Sequence, residues 1–330
     1  MTSSRKTEVL QLLRNSGDYV SGQQICETLG ISRTAVWKIM NQLKEEGYEI
    51  EAGQNKGYRL NGTPDVLSLA ELQSRVKTRM AGKELLYFDV IDSTNLEAKR
   101  RAEEGAPEGL LIVADKQVAG RGRRGRSWES PAGANIFMTL LLRPSYSADC
   151  VSIVTLVMAL SVAQAIEEVS KLPVRIKWPN DIVVNKKKVV GILTELTMEA
   201  DYVQYMVSGV GINVNQTSFP EEISATASSL YLEKGQKVNR ALLVQKSMEH
   251  FDENYEIFCR TDDMTGLIGA YNTLLVNKEV AVRVLDPRGE YEGIAHGINE
   301  KGELIVEKED GSVENVYAGE VSVRGIYGYV

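Results

Sequence analysis

The segment from Gln117 to Phe137 reads QVAGRGRRGRSWESPAGANIF. Its four arginines (Arg121, Arg123, Arg124 and Arg126) are interleaved with glycines, and Trp128 closes the run. Such a loop suits a solvated nucleic-acid-binding segment, a purely structural turn, or a cradle for a polyphosphate or carboxylate. Apolar, strand-like residues on both sides argue against disorder. Because glycine lets backbone amides approach an anion and guanidinium groups bind phosphate oxygens in pairs, the composition favours the cradle.

Four further segments carry polar residues or glycines at places where a ligand could bind. They are DSTNLEA (Asp92–Ala98), KWPNDI (Lys177–Ile182), KKKVVGILTE (Lys186–Glu195) and GVGINVN (Gly209–Asn215). The first enters a helix, where hydroxyl and amide groups suit a cap or a ligand contact, and the last is a strand whose glycines let a flat ligand lie against the backbone. Each alone also has a structural interpretation. No G-x-x-x-x-G-K-[ST] sequence occurs, which argues against a Walker-type nucleotide site.

Composition limits the class of protein. The chain has 330 residues, of which 43% are hydrophobic, so we expect several domains, and its formal net charge is -7. Three widely spaced cysteines indicate a reducing compartment and buried thiols. With only two histidines, the chemistry is expected to depend on Arg, Lys, Asp and backbone amides. The N-terminus lacks the apolar stretch of a signal peptide, and no long uncharged apolar run occurs. We therefore expect a cytoplasmic protein without membrane association.

Residues 1–62 are predicted to form a winged helix-turn-helix domain. Ser21 and Ser32 can cap two short helices on either side of a turn at Gly30, and a small hairpin follows. The residues expected to contact DNA are Ser32, Arg33, Thr34, Trp37 and Lys38 on the second helix and Lys56 and Arg59 on the wing. The alternative is a packing module without nucleic acid, because this segment holds 8 Lys and Arg against 7 Asp and Glu. Such weak charge implies weak non-specific binding, so DNA binding of useful affinity would need dimerisation and direct base contacts.

The remaining chain is predicted to be an α+β domain over residues 63–270 and a small β-barrel-like module over 271–330. Strands are expected at Tyr87–Val90, Leu110–Asp115, Asn135–Leu142, Val174–Trp178, Asp181–Val184, Val189–Glu195 and Tyr202–Val214, and helices at Leu96–Glu104, Ser152–Val169 and Arg240–Ile257. Hairpin-like strand pairs mixed with separated helices indicate a mixed, mainly antiparallel sheet. From Val276 onward, short strands alternate with turns such as Asp286–Gly289, which is typical of a small barrel.

In chain order, the segments DSTN, QVAGRGRRGRSW, KWPND, KVVGIL.E, GVGINVN and GEVSVRG (Gly319–Gly325) resemble the signature segments of biotin protein ligases. With a winged helix-turn-helix before them, the whole chain resembles the bifunctional ligases and biotin operon repressors of bacteria. Lipoate ligases share the fold but not the arginine loop. The resemblance implies a class II synthetase-like central domain and an SH3-like barrel. It also implies biotin, ATP and Mg²⁺ as ligands, with the biotin carboxyl carrier protein or domain as acceptor and operator DNA as a partner.

The resemblance also assigns site residues. Biotin contacts are implied for Ser93, Thr94, Asn95, Gln117, Arg121, Gly122, Arg123 and Lys188. Contacts to ATP or the adenylate are implied for Arg121, Arg123, Arg124, Arg126, Trp128, Lys177, Asn180 and Asn213. The catalytic assignments are Lys188, which would bridge the biotin carboxylate and the α-phosphate, Arg123, nearest the reactive phosphate, and Asp181, which would orient a metal or the acceptor amine. No cage of protein ligands for a metal is expected, because Mg²⁺ would enter with ATP.

The implied reaction joins biotin to AMP and then transfers it to a carrier lysine, with stabilisation of phosphate charge as the main catalytic device. Ordering of the arginine loop around biotinyl-5′-AMP would favour a homodimer that presents two winged helices to an operator. Two rival hypotheses remain at this point. One is a DNA-binding sensor that binds the ligand without chemistry, and the other is a ligase whose N-terminal domain no longer binds DNA.

Overall fold

A computed structural model describes residues 4–144, 150–199, 202–286, 289–317, 322–325 and 329–330. Gly319 to Val321 of the last signature segment, and Pro287 and Arg288 of one predicted turn, lie outside the described residues. The chain divides into two compact units. The first comprises Met1–Lys77 with Asn239–Gln245, and the second comprises Thr78–Val238 with Lys246–Val330.

The first unit begins with the predicted winged helix-turn-helix, which is confirmed. Its elements are α1 (Arg5–Ser16), α2 (Gly22–Leu29), α3 (Arg33–Glu45), β1 (Glu49–Gly53), β2 (Gly57–Gly62) and α4 (Leu69–Arg75). Ser21 accepts a hydrogen bond from the Gln24 amide and Ser32 from the Ala35 amide, so both predicted caps form. β1 and β2 pair antiparallel as the wing. Helix α4 was not predicted from the sequence; it packs against α1 and extends the unit beyond residue 62.

The second unit contains two sheets and most of the helices. Its elements are β3 (Glu84–Phe88), α5 (Thr94–Glu103), β4 (Leu110–Ala114), β5 (Ile136–Leu142), α6 (Val151–Ser170), β6 (Val174–Lys177), β7 (Asp181–Val184), β8 (Lys187–Glu199), β9 (Tyr202–Ile212), α7 (Glu221–Ser224), α8 (Leu230–Lys234), α9 (Arg240–Phe258, which begins in the first unit), α10 (Ile268–Leu274), β10 (Val280–Asp286), β11 (Gly289–Ile298), β12 (Leu304–Lys308), β13 (Val313–Val316) and β14 (Ser322–Gly325). The predicted α+β class is confirmed.

The larger sheet has seven strands in the order β3-β4-β5-β9-β8-β7-β6. Only β3 and β4 pair parallel, with α5 between them in sequence as such a connection requires, and the other pairs are antiparallel. β4 and β5 are buried along their whole length, which explains why they are continuous apolar runs. The β8–β9 hairpin extends beyond the predicted strand Val189–Glu195 at both ends.

Helix α6 supplies much of the core beside this sheet. Among the described residues it alone is long and apolar enough to cross a membrane, with a mean hydropathy of 1.5 in its most apolar window, yet 67% of that window is buried within the protein. It packs against β6, β7, β8 and β9, and this packing accounts for its apolar composition. α5 packs against β4, β5 and β9, which brings its N-terminus to the middle of the sheet.

The C-terminal sheet has the strand order β13-β12-β11-β10-β14 and is antiparallel throughout, which confirms the predicted small β module. Trp178, in the turn between β6 and β7, donates from its indole Nε1 to the carbonyl of Gly302 at 3.1 Å. Its backbone amide donates to Asn277 at 2.9 Å. These bonds fasten the β6–β7 turn to the C-terminal part of the chain.

The prediction of three buried thiols is wrong. Cys259 is exposed at the end of α9, while Cys26 and Cys150 are half-buried. None of the three forms a disulfide. Wide spacing in the sequence carries no information about depth in the fold, so the inference about burial had no physical support.

Candidate functional site

A cavity of about 350 Å³ opens where the arginine loop, the start of α5 and the middle of the larger sheet meet. The sequence-predicted ligand residues that line it are Ser93, Thr94, Asn95, Gln117, Arg121, Gly122, Arg123, Arg124, Arg126, Trp128, Asn180, Asp181, Lys188 and Asn213. Lys177 does not line the cavity. Its ammonium lies 3.4 Å from the centre of the Tyr329 ring, and Tyr329 itself is a lining residue.

Glycines of β8 and β9 form the floor of the cavity. A Cβ atom added to Gly191 or Gly211 would lie 2.6 Å or 2.5 Å from the Trp128 indole, and one added to Gly209 would lie 2.0 Å from the Asn95 amide oxygen. A residue larger than glycine therefore fits at none of these three positions unless Trp128 or Asn95 moves. The Trp128 indole lies against Gly191 and Gly211, and the expectation that a flat ligand lies against the glycines of β9 stays a prediction.

A hydrogen-bond network fixes the polar end of the cavity at the start of α5. Thr94 donates from its backbone amide and its hydroxyl to the Gln117 side-chain oxygen, at 2.8 and 3.0 Å. The Thr139 hydroxyl donates to the Asn95 side-chain oxygen at 2.7 Å, and the Asn95 amide donates to Glu195 at 2.7 Å. These bonds hold amide and hydroxyl groups in defined orientations before any ligand arrives.

Glu195, on β8, accepts the hydrogen bond that orients the Asn95 side chain. It forms an ion pair with Lys99 at 2.7 Å as well as the hydrogen bond from Asn95. Burial acts to raise the pKa of Glu195, but the hydrogen bonds from Lys99 and Asn95 outweigh it, and the pKa lies below its ordinary value. The carboxylate therefore stays ionised and keeps accepting from Asn95.

The arginine loop is a compact turn. The Gly122 amide donates to the carbonyl of Arg126 at 2.7 Å and closes a short 3₁₀ turn over Arg123–Gly125, in which Arg124 and Gly125 have left-handed backbone angles. Arg123 alone among the four arginines turns inward and donates to Asn180 at 2.9 Å. Burial lowers the pKa of Arg123, and the Asp181 charge opposes that shift. The other three arginines are exposed at the cavity rim.

Asp181 and Lys188 face each other across the β7–β8 pair. The Lys188 ammonium lies 2.5 Å from Oδ1 of Asp181 and 5.3 Å from the centre of the Trp128 ring. Oδ1 of Asp181 is thus satisfied by the Lys188 cation, whereas Nε1 of Trp128 is buried and donates to no described residue. A buried donor without an acceptor at the border of the cavity indicates a polar ligand.

Sequence reasoning gave no role to three lining residues, Lys99, Glu195 and Tyr329. Lys99 lies four positions after Asn95 on α5, so helical spacing could have placed both on one face. Glu195 lies four positions after Gly191 on β8, so the two-residue repeat of a strand could have placed both on one side of the sheet. Tyr329 is 148 residues from its partner Asp181, and no local pattern connects them.

The predicted DNA-contact residues lie on the surface of the first unit. Ser32, Arg33, Thr34, Trp37 and Lys38 are exposed at the start of α3, and Trp37 is 60% exposed. On the wing, Arg59 forms an ion pair with Glu51 at 2.7 Å, and its guanidinium lies 4.8 Å from the centre of the Tyr19 ring. Lys56 lies 5.5 Å from the centre of the same ring.

A winged helix-turn-helix in the first unit and a cavity lined by Lys188 and four arginines in the second fit one class of protein, a ligase that also carries a DNA-binding fold. The sequence pattern of the Biotin/lipoate A/B protein ligase family matches residues 87–213, that of the HTH domain matches 5–59, and that of the Biotin protein ligase C terminal domain matches 277–324. The bifunctional ligase/repressor BirA of Bacillus spizizenii is 40% identical over 98% of this chain and its own full length. The chain belongs to the family of bifunctional biotin ligase/repressors.

Two further similarities support this assignment. The bifunctional ligase/repressor BirA of Escherichia coli is 30% identical over 96% of each chain. Among solved structures, the biotin protein ligase of Aquifex aeolicus in complex with biotin and ATP matches with a TM-score of 0.66 and 33% identity, covering 74% of this chain and 99% of that one.

Proposed function

We propose that this chain is an ATP-dependent biotin protein ligase that also represses transcription of biotin genes. As an enzyme it converts biotin and ATP to biotinyl-5′-AMP and transfers biotin to a lysine of a biotin carboxyl carrier domain. As a repressor it binds operator DNA with biotinyl-5′-AMP as corepressor. The observation that carries the proposal is the single cavity in which the arginine loop, the start of α5 and the Lys188–Asp181 pair meet.

We assign biotin to the end of the cavity nearest α5. The hydroxyl and amide groups of Ser93, Thr94, Asn95 and Gln117 match the polar atoms of the biotin ring system, and the network through Thr139 and Glu195 keeps them oriented. Arg121, Gly122, Arg123 and Lys188 then meet the carboxylate end. ATP lies toward the arginine loop, with Arg121, Arg123, Arg124, Arg126 and Trp128 around the phosphates and Asn180 and Asn213 deeper in the cavity. Lys177 contributes from behind Tyr329 and not by direct contact.

In the first step a biotin carboxylate oxygen attacks the α-phosphorus of ATP. The new P–O bond forms while the bond to the β-phosphate breaks, and pyrophosphate leaves with the electron pair. Arg123 and Lys188 offset the negative charge that grows on the phosphate oxygens. Mg²⁺ bound to ATP would neutralise part of the phosphate charge, and in this proposal it would be held through the phosphates without a cage of protein ligands.

In the second step the ε-amine of the carrier lysine attacks the carbonyl carbon of the mixed anhydride. The C–N bond forms, the C–O bond to the phosphate breaks, and AMP leaves with the electron pair. The amine must be neutral to attack and must lose a proton afterwards. We assign that proton to Oδ1 of Asp181, once Lys188 has turned from this carboxylate toward the ligand.

The decisive test is exchange of labelled pyrophosphate into ATP by the purified full-length chain with Mg²⁺. We expect exchange that depends on biotin, because adenylate formation is reversible and releases pyrophosphate. Biotin binding without exchange would reject the ligase function and leave the sensor hypothesis.

Repression requires a dimer in our proposal. The charge of residues 1–62 is nearly balanced, so one unit alone would bind DNA weakly, whereas two units on a two-fold operator would share the phosphate contacts. We propose that biotinyl-5′-AMP orders the arginine loop and thereby favours the homodimer. We also propose that the protein acts in the cytoplasm, where carrier domain, ATP and operator are present together.

Replacement of Arg33 by alanine should weaken operator binding by about 1–3 kcal/mol, as expected for a side chain that contacts bases or phosphates. Arg33 is exposed at the first turn of α3, the end that a recognition helix presents to DNA. The measurement is titration of DNA from upstream of the biotin genes with adenylate-bound protein. Lys44→Ala, an exposed lysine at the other end of α3, is the matched control. Equal losses for both variants would contradict the docking mode, and pyrophosphate exchange should stay unchanged in both.

A further inference from the structure

We infer that Tyr329 is a positioning residue for the transfer step, which holds Asp181 so that its Oδ1 atom faces the acceptor amine. The inference rests on the proposed ligase function. It adds to the site a side chain from beyond the C-terminal sheet, outside the segments that the sequence motifs cover. Its hydrogen-bond partner Asp181 is 148 residues earlier in the chain.

Contacts of Tyr329 with Asp181 and Lys177 lie at the edge of the cavity. Its phenol donates a short hydrogen bond to Oδ2 of Asp181. Its ring receives the Lys177 ammonium at 3.4 Å from the ring centre. Lys177 is only 4% exposed, so this cation is largely removed from water, where a cation–π contact is strongest. The ring is therefore fixed against β6 and the phenol against the start of β7.

These contacts give the two oxygens of Asp181 different roles. Oδ2 accepts the hydrogen bond from the phenol, whereas Oδ1 forms the ion pair with Lys188 at 2.5 Å. A carboxylate held at one oxygen by a fixed donor cannot rotate freely. When Lys188 turns to the ligand, Oδ1 loses its cation and is left to accept a proton, while the phenol preserves its direction.

The backbone keeps Tyr329 in reach of Asp181. A Cβ atom on Gly325 would lie 2.3 Å from the carbonyl carbon of Val330, so the residue after Tyr329 packs directly on the end of β14. The β6–β7 turn is in turn bound to the C-terminal part of the chain through Trp178, by its bonds to Gly302 and Asn277. The C-terminal sheet thus supports both partners of the Tyr329–Asp181 hydrogen bond.

Tyr329→Phe tests the inference, because it should slow the transfer step without slowing adenylate formation. The variant keeps the ring over Lys177 and removes only the phenol. We expect unchanged biotin-dependent pyrophosphate exchange and a transfer rate from preformed adenylate to a purified carrier domain that is lower by roughly 10- to 100-fold, the effect of losing one hydrogen bond to a charged group. The loss should fall on kcat and leave KM for the carrier domain unchanged. Hydroxylamine, which attacks without needing a base near neutral pH, should capture biotin from the variant at the wild-type rate.

Two companion variants complete the test. Tyr317→Phe removes an exposed phenol from the same C-terminal part of the chain and should leave both half-reactions unchanged. Tyr329→Leu removes ring and phenol, and its transfer defect should be at least as large as that of the phenylalanine variant. Equal slowing of transfer to hydroxylamine and to the carrier lysine, slowing of exchange alone, or no slowing at all would each overturn the role. Absence of exchange in the unaltered chain would instead reject the ligase function itself.

Discussion

Replacing Lys188 by alanine is expected to lower biotin-dependent pyrophosphate exchange by roughly 10²- to 10³-fold, the usual effect of removing one preorganised charge donor. In the structure its ammonium sits beside Asp181 and the face of Trp128, inside the cavity that Arg123 also lines. No other lysine of the described cavity lining lies on the β7–β8 pair. Removal should therefore take away the positive charge that we place between the biotin carboxylate and the α-phosphate.

The fold should survive this change. The Lys188 side chain is 26% exposed, and Asp181 keeps its hydrogen bond from Tyr329. The matched control is Lys187→Ala, which removes an exposed lysine from the same turn and should leave exchange unchanged. Circular dichroism and thermal unfolding should be alike for all three proteins. Near-normal exchange by the Lys188 variant would reject its assigned role, while equal losses at both lysines would indicate a general effect of charge on the turn.

Local chemistry in the sequence was enough to predict the helix-turn-helix. Ser21 and Ser32 cap their helices as expected, because a serine before an amphipathic run is a signal that depends only on its neighbours. The interaction that decides each cap lies within three residues of the serine.

Assembly of the cavity could not be predicted in this way. Arg123 meets Asn180, 57 residues away, and Asn95 meets Glu195, 100 residues away. Both pairs depend on the strand order of the larger sheet, which no short segment encodes. The resemblance to biotin protein ligases supplied the members of the site, but it did not supply the contacts among them. Helix α4 was missed for a similar reason, since its burial depends on α1.

Replacing Glu71 by alanine should destabilise the first unit by about 3–5 kcal/mol, the typical cost of removing one partner from a buried charge cluster. Glu71 on α4 is fully buried. It accepts from Arg14 of α1 at 3.0 Å, from Arg75 of its own helix at 2.5 Å, and from the Tyr48 phenol at 2.7 Å. Without it, Arg14 and Arg75 would lose the carboxylate that they share in a site from which water is largely removed.

The surrounding groups cannot relieve this loss by changing protonation. Burial lowers the pKa of Arg14, yet an arginine remains charged at neutral pH. Burial, followed by the nearby charge of Glu71, raises the pKa of Tyr48, so its phenol is a donor and supplies no negative charge. The cluster therefore has one carboxylate for two guanidinium groups and a phenol, and it joins α4 to α1 through Arg14.

Hydrogen exchange of the full-length chain can measure this effect, because peptides from α1 and α4 report on the first unit alone. Faster exchange of both helices is expected for Glu71→Ala, with peptides of the larger sheet unchanged. Glu46→Ala is the matched control, since Glu46 pairs with Lys6 at the surface, where such a bond contributes about 0–1 kcal/mol. Equal protection in the two variants would contradict the buried cluster. Detachment of α4 in the Glu71 variant should also weaken operator binding. Pyrophosphate exchange should persist, because none of these residues lines the ligand cavity.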